Sequence, residues 1–279
     1  MIRNAITVDV EDFFQVSAFE PYIERASWDQ FAPRLEGNIE RILGMFSDFG
    51  VQGTFFVLGC VAEKHKRVVC KIAESGHEIA SHGYSHVKVN RQAPSEFARD
   101  VRMTKRLLED LVGRRVCGYR AASFSIDERT PWAAEILEEE GYTYSSSIYP
   151  IHHDHYGMPN APRFGFRLAS GGLQEIPIST VVVGRQRFPC GGGGYFRLLP
   201  YWLSKGALKR VNHIDREPVV FYFHPWEIDP DQPVIRGLDL KTRFRHYINL
   251  DTMEHKLRRL LMDFQWSRMD KIFSCATCR

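Results

Sequence analysis

A chain of 279 residues, 44% hydrophobic and 25% charged, has the composition of an ordinary globular protein with a sizeable core. The formal charge of +3 comes without a dense run of Lys or Arg, which argues against a nucleic-acid partner. No apolar run approaches the ~20 residues of a membrane helix. The start, Met1 to Thr7, lacks the apolar core of a signal peptide. A cytoplasmic protein, at the inner face of the membrane if it acts on a lipid-linked precursor, is therefore expected. In that compartment Cys60, Cys70, Cys117, Cys190, Cys275 and Cys278 are read as reduced thiols. Cys275 and Cys278 have Cys-x-x-Cys spacing but no second pair to complete a zinc ribbon.

In chain order, residues 2–9 read as a core strand that ends in Val8-Asp9-Val10-Glu11-Asp12. Three carboxylates directly after an apolar strand repel one another unless a cation or a shared proton relieves them. An aromatic loop with Phe13, Phe14 and Tyr22 follows. An amphipathic helix then runs from Arg34 to about Phe49, with Ile39, Ile42, Leu43 and Phe46 on one stripe and Gly50 as its stop. Residues 53–59 form an apolar strand, and a helix from about Val61 to Glu74 leads to Gly76.

Glu78-Ile79-Ala80-Ser81 then reads as a short strand that runs out into His82-Gly83-Tyr84-Ser85-His86. Histidines four apart can share one face of a helical turn, about 5–6 Å apart at Cβ. One divalent ion can bridge that spacing at roughly 2.0–2.1 Å per nitrogen for zinc. His77, ahead of the strand, is read as structural.

Ser95 is expected to cap a helix reaching Leu111. A strand over 116–120 ends in Arg120, and Thr130 and Pro131 open a helix to about Glu140. A strand over 142–145 follows, and the alternation argues a parallel sheet or barrel. Residues 150–217 break the pattern with Pro, Gly and aromatics, apart from a strand near 173–178. Within them, Gly191-Gly192-Gly193-Gly194 permits either close backbone approach or a floppy loop. His152, His153 and His155 are expected to be solvated. Residues 219–224 form a strand ending in His224. Asp251 or Thr252 caps a last helix over 253–264, and Ile272-Phe273 ends the chain as a short strand.

In a parallel barrel the strand ends surround one mouth. Asp9, Glu11, Asp12, His82, His86, Arg120 and His224 would then share a site. Two imidazoles and a carboxylate make a three-ligand metal set with room for water and substrate. The spare carboxylate and histidine would be base and acid.

The acidic cluster after the first strand, then Ser-His-Gly-Tyr-Ser-His, Gly-Tyr-Arg and Phe-Tyr-Phe-His, resembles the NodB-homology polysaccharide deacetylases, carbohydrate esterase family four. Gly191–Arg197 and His224–Asp229 resemble the subgroup that accompanies bacterial exopolysaccharide assembly and export. The resemblance implies an α/β fold, a distorted, incomplete (β/α) barrel of seven strands. It treats residues 1–279 as one deacetylase domain, with 150–217 an insertion and 225–279 a C-terminal extension. It also implies a divalent metal, zinc before nickel or cobalt, and hydrolysis of N-acetyl groups on an amino sugar of a poly- or oligosaccharide. Membrane-bound exopolysaccharide machinery is the partner it suggests.

By the same resemblance Asp9 is the base, Arg120 orients it, His224 is the acid, and His82 and His86 hold the metal. The third ligand is Asp12 or Glu11, with Asp12 favoured for its shorter side chain. Arg120 continues as Ala121-Ala122-Ser123 rather than with a proline, and Ser145 stands where an Asp is usual. A backbone N–H at Ser145 or Ser146 is expected to hold the oxyanion. Trp226 and Tyr195, with Phe13, Phe14 and Tyr149 behind them, are candidates to stack on sugar. The alternatives are a metal-free hydrolase of cyclic amides on the same barrel, and a sugar-binding module with a dead site.

Overall fold

The computed structural model describes residues 2–154, 157–168 and 172–273. His155, Cys275 and Cys278 lie outside the described residues. The strands are β1 (Arg3–Val10), β2 (Thr54–Val57), β3 (Glu78–Ser81), β4 (Gly118–Tyr119), β5 (Tyr144–Ser145), β6 (Phe166–Arg167), β7 (Gln174–Glu175), β8 (Thr180–Val183), β9 (Gln186–Pro189), β10 (Val220–Phe223) and β11 (Gln265–Ser267). The helices are α1 (Leu35–Asp48), α2 (Gly59–Lys64), α3 (Lys66–Glu74), α4 (Pro94–Val112), α5 (Ala133–Glu139), α6 (Gly193–Leu198), α7 (Tyr201–Arg210), α8 (Leu240–Tyr247), α9 (Leu250–Asp263) and α10 (Met269–Ile272).

The main sheet runs β10-β1-β2-β3-β4-β5-β7-β6, with β11 beside the foot of β1. The run from β10 to β7 is seven parallel strands, and β6 adds an antiparallel edge. This is the incomplete barrel expected. β1 is buried from Asn4 onward because it lies mid-sheet with both faces covered, which is why its alternation in sequence is faint.

Alternation of side chains across the pleat sorts the residues into two layers. Ile6, Val8, Val10, Phe55, Val57, Ile79, Tyr119, Phe221 and Phe223 join the core shared with the helices. Ala5, Phe56, Ala80, Tyr144, Ile176 and Tyr222 fill the inner layer. The same parity turns Asp9, His82, Arg120 and His224 inward. Register then levels them. Val10, Val57, Ser81, Tyr119 and Ser145 lie in one row across the sheet, and Glu11, His82, Arg120 and Ser146 each follow it by one residue.

The open side between β7 and β10 is bridged by chain that the sequence leaves irregular. The Ser179 amide donates to the Val220 carbonyl, and the Tyr222 amide donates to the Gly191 carbonyl at 2.8 Å. A Cβ on Gly191 would lie 2.3 Å from the Val220 oxygen, so this part of the glycine run exists for close approach, not flexibility.

Several expected boundaries differ. α4 begins at Pro94, a good first helical residue, and the Glu96 carboxylate accepts from the Ala93 amide, so Ser95 is not its cap. The single helix expected over 61–74 is two, broken at His65, whose backbone (φ −120°, ψ 46°) leaves the helical region. α9 begins at Leu250 after a left-handed Asn249, not at Asp251 or Thr252. Residues Met269–Ile272 are helical rather than extended. Cys60, Cys70 and Cys190 are free thiols, but Cys117 is disulfide-bonded, against the expectation that all six are reduced. No helix among the described residues is long and apolar enough to cross a membrane.

Candidate metal centre and active site

His82 follows β3 directly and His86 closes the loop. The pair does not share a helical turn. Gly83 and His86 both take left-handed backbone conformations (φ +74° and +55°), and the rings end 5.2 Å apart at their centroids. The loop is gripped on three sides. Amides of Gly59 and Cys60, at the start of α2, donate to the carbonyls of Gly83 and Tyr84. The half-buried Asp100 carboxylate accepts from the Tyr84 amide at 3.0 Å. The Arg25 guanidinium donates to the Ser85 and His86 carbonyls.

His82 Nδ1 lies 2.8 Å from the Arg120 carbonyl, an outer hydrogen bond that orients the ring and leaves Nε2 facing the site. Ser17 Oγ lies 3.5 Å from His86 Nδ1 and accepts from the Ser123 hydroxyl.

Glu11 joins the two histidines. Ligand atoms of Glu11, His82 and His86 all lie within 4.8 Å of one another, and all three residues are buried. Glu11 Oε2 is 3.5 Å from His86 Nε2, and no hydrogen-bond donor satisfies it. An orphaned buried carboxylate oxygen facing two imidazole nitrogens fits a divalent cation. Burial alone would raise Glu11, but the charges of His86, His224 and His82 outweigh it and lower its pKa to about 2. Burial lowers His86 to about 4, so its ring is neutral, as a ligand must be, at physiological pH.

Asp12, the residue favoured as third ligand, is occupied elsewhere. Its carboxylate caps the turn at Phe13 and accepts from the Arg34 and Leu35 amides at 2.8 and 3.1 Å. It thereby pins both ends of the 13–33 loop together. Chain direction explains the choice: β1 ends at Val10, and Glu11 keeps the inward parity of Asp9 while Asp12 turns away.

Arg120 is fully buried. It donates to Asp9 Oδ1 at 2.6 Å, to Thr7 Oγ1 at 2.8 Å, and to the backbone and hydroxyl oxygens of Ser146. Its guanidinium lies 4.0 Å over the Phe56 ring. Asp9 is thus held by a cation that cannot move away.

His224 enters from β10. Its Nε2 is 3.1 Å from Glu11 Oε1 and its Nδ1 is 2.7 Å from Glu227 Oε1. Burial disfavours the charged ring, but Glu11 and Glu227 outweigh it and raise His224 to about 10. Glu227 is held in turn by Arg197 Nε at 2.7 Å. Sequence reasoning missed Glu227 and Arg197. The available signal was Glu227 three residues beyond a strand-end histidine.

The remaining candidates fall in other places. Ser145 and Ser146 are fully buried, and the Ser146 amide donates to the Tyr119 carbonyl at 2.9 Å. The Ser147 and Ile148 amides go to Glu175. None of these three amides is free to hold an oxyanion, so the Ser146 alternative of that expectation is corrected. Trp226 is buried and stacked between His224 and His246, at 5.2 and 4.2 Å, which makes it a backing for His224 and not an open sugar platform. Phe13 and Phe14 belong to the cluster beneath it, and Tyr149 is buried in the inner layer. Tyr195 is half-buried. His77 accepts from the Gly53 amide at 3.0 Å, a structural role as read. His152 is exposed, whereas His153 is largely covered and lies 3.2 Å from Asp154, so it is not the solvated side chain expected.

Residues 27–145 match the family Polysaccharide deacetylase, and residues 146–274 match a domain of unknown function, DUF3473. The Helicobacter pylori peptidoglycan deacetylase is 28% identical over 119 residues, 43% of this chain and 39% of that protein. The Bacillus cereus peptidoglycan-N-acetylglucosamine deacetylase is 36% identical over 73 residues, 26% of each chain. The chain thus spans well under half the length of these curated relatives. Among solved structures, a Mycobacterium smegmatis protein assigned as a polysaccharide deacetylase superposes with a TM-score of 0.62 at 20% identity, over 98% of this chain and 89% of that one. Puue allantoinase superposes with a TM-score of 0.60 at 15% identity and the same coverage. Over residues 27–145, then, the chain is similar to the polysaccharide deacetylase family, and the whole chain takes the α/β half-barrel fold of those structures.

Proposed function

We propose that the protein is a metal-dependent hydrolase that removes N-acetyl groups from amino sugars of a bacterial poly- or oligosaccharide. The observation that carries this reading is the convergence of Glu11, His82 and His86 between the Asp9–Arg120 pair and His224. Curated relatives named as peptidoglycan deacetylases support the substrate class. The subgroup likeness of Gly191–Arg197 and His224–Asp229 extends it to exported glycans. Zinc suits two imidazoles and one carboxylate.

When bound by Glu11, His82 and His86, the cation would polarise the acetamide carbonyl and lower the pKa of water. Asp9, held in place by Arg120, takes a proton from the attacking water. Water oxygen bonds to the carbonyl carbon, and the carbon–nitrogen bond then breaks. His224 gives the departing amine its proton from Nε2, while Glu227 holds Nδ1. Acetate and a free amino sugar leave.

The fold also admits cyclic-amide hydrolysis, as its likeness to an allantoinase illustrates. An acetate-release assay on N-acetylated oligosaccharides, with and without chelator, separates these readings. Chelator-sensitive acetate release is expected. Ring opening of a cyclic amide without acetate release, or acetate release indifferent to chelator, would contradict the proposal.

A further inference from the structure

Gly193 and Gly194 of the glycine run, and the Trp-Glu pair after His224, lie in the region matching a domain of unknown function. They meet at one point. A Cβ placed on Gly193 would lie 2.3 Å from Glu227 Oε1 and 2.5 Å from Oε2. A side chain cannot occupy that space while the carboxylate does. At Gly194 an added Cβ meets nothing within 4 Å. Neither glycine takes a left-handed backbone, so the difference is one of room and not of conformation.

Gly193 opens α6, and Arg197 stands four residues on, one turn along the same face. Arg197 grips Glu227 Oε2 at 2.7 Å and donates also to the carbonyls of His246, Ile248 and Arg245. Glu227 Oε1 accepts from both the ring and the backbone amide of His224. Trp226 closes one side of that ring, backed by a His246 whose burial keeps it neutral.

We propose that Gly193, Arg197 and Glu227 form a positioning unit for His224. Gly193 leaves the space, Arg197 fills the far side of the carboxylate, and Glu227 fixes the imidazole so that Nε2 faces the metal centre. None of the three touches substrate. Their effect on turnover rests on the deacetylase reading, but their effect on the His224 ring does not.

Two readouts separate the claims. The Nδ1 proton shared with a carboxylate should give a far-downfield proton resonance, identified by its absence in His224→Ala. Glu227→Gln and Gly193→Ala should each lose it, and kcat should fall about tenfold or more, with KM and bound zinc unchanged. Glu227→Asp should restore part of both, and Gly194→Ala should resemble wild type. If Gly193→Ala does not fold, the near-isosteric Glu227→Gln decides the matter. A resonance and kcat that survive Glu227→Gln overturn the unit, as does a loss at Gly194→Ala equal to that at Gly193→Ala. A wild type that releases no acetate overturns the deacetylase reading, and the resonance, read without substrate, still decides the positioning unit.

Discussion

On the β1–β5 side of the pocket, Glu11, His82 and Arg120 stand one residue beyond strands in matched register, and main-chain groups help fix the histidines. His82 is aimed by the Arg120 carbonyl, and the loop to His86 is gripped by the amides of Gly59 and Cys60 and by Asp100. On the β10 side, His224 is fixed by a relay of side chains, Glu227 and then Arg197, which closes only because Gly193 has no side chain. The first arrangement is inherited from the sheet. The second is assembled from parts outside it, so single side chains should matter more to its geometry.

The largest effects should come from breaking the sheet-borne half at its chemistry. Asp9→Asn should lower acetate release by about 10²–10⁴-fold, the range for loss of a positioned proton acceptor, in a protein that circular dichroism shows still folded but with a lower melting temperature. His82→Ala should lose bound zinc as well as activity, measured by elemental analysis of the dialysed protein.

A crossed pair of variants sharpens the contrast between ligand and staple. Glu11→Gln should lose zinc affinity in calorimetric titration. Asp12→Ala should keep it but lose about 0.5–2 kcal/mol of stability or more, because a cap and the closure of the 13–33 loop both go. The reverse pattern would return Asp12 to the metal.

The smallest expected effect lies at the opposite end of the barrel. Glu78 is buried, accepting from Thr54, Tyr144 and the Asp270 amide. Burial and then the Asp270 charge raise it from 4.5 to about 7. An acid whose pKa is higher folded than unfolded stabilises the fold fully below its unfolded value. That stability fades as pH rises through the folded value. Wild type should therefore lose stability between pH 4.5 and about 7, and Glu78→Gln should flatten that part of the profile in denaturant titrations.

The two halves also differed in how far the sequence revealed them. Asp9, His82, Arg120 and His224 each end a recognisable apolar strand, and period-two parity with a shared mouth brings them together. The choice between Glu11 and Asp12 was hidden because it depends on where β1 stops and on the Arg34 and Leu35 amides, some twenty residues away. The Ser146 alternative for the oxyanion failed because the backbone hydrogen bond from Ser146 to Tyr119 cannot be seen in residue types. Trp226 looks like a sugar platform until His246, from α8, stacks upon it. The glycine run was visible but ambiguous, since what it approaches is known only once Glu227 is placed.

The most direct test is anomalous diffraction at the zinc edge from crystals of the zinc-loaded protein. A single strong peak bounded by a Glu11 carboxylate oxygen and the Nε2 atoms of His82 and His86 is the predicted result. A peak on Asp12, or none within reach of both histidines, would contradict the account.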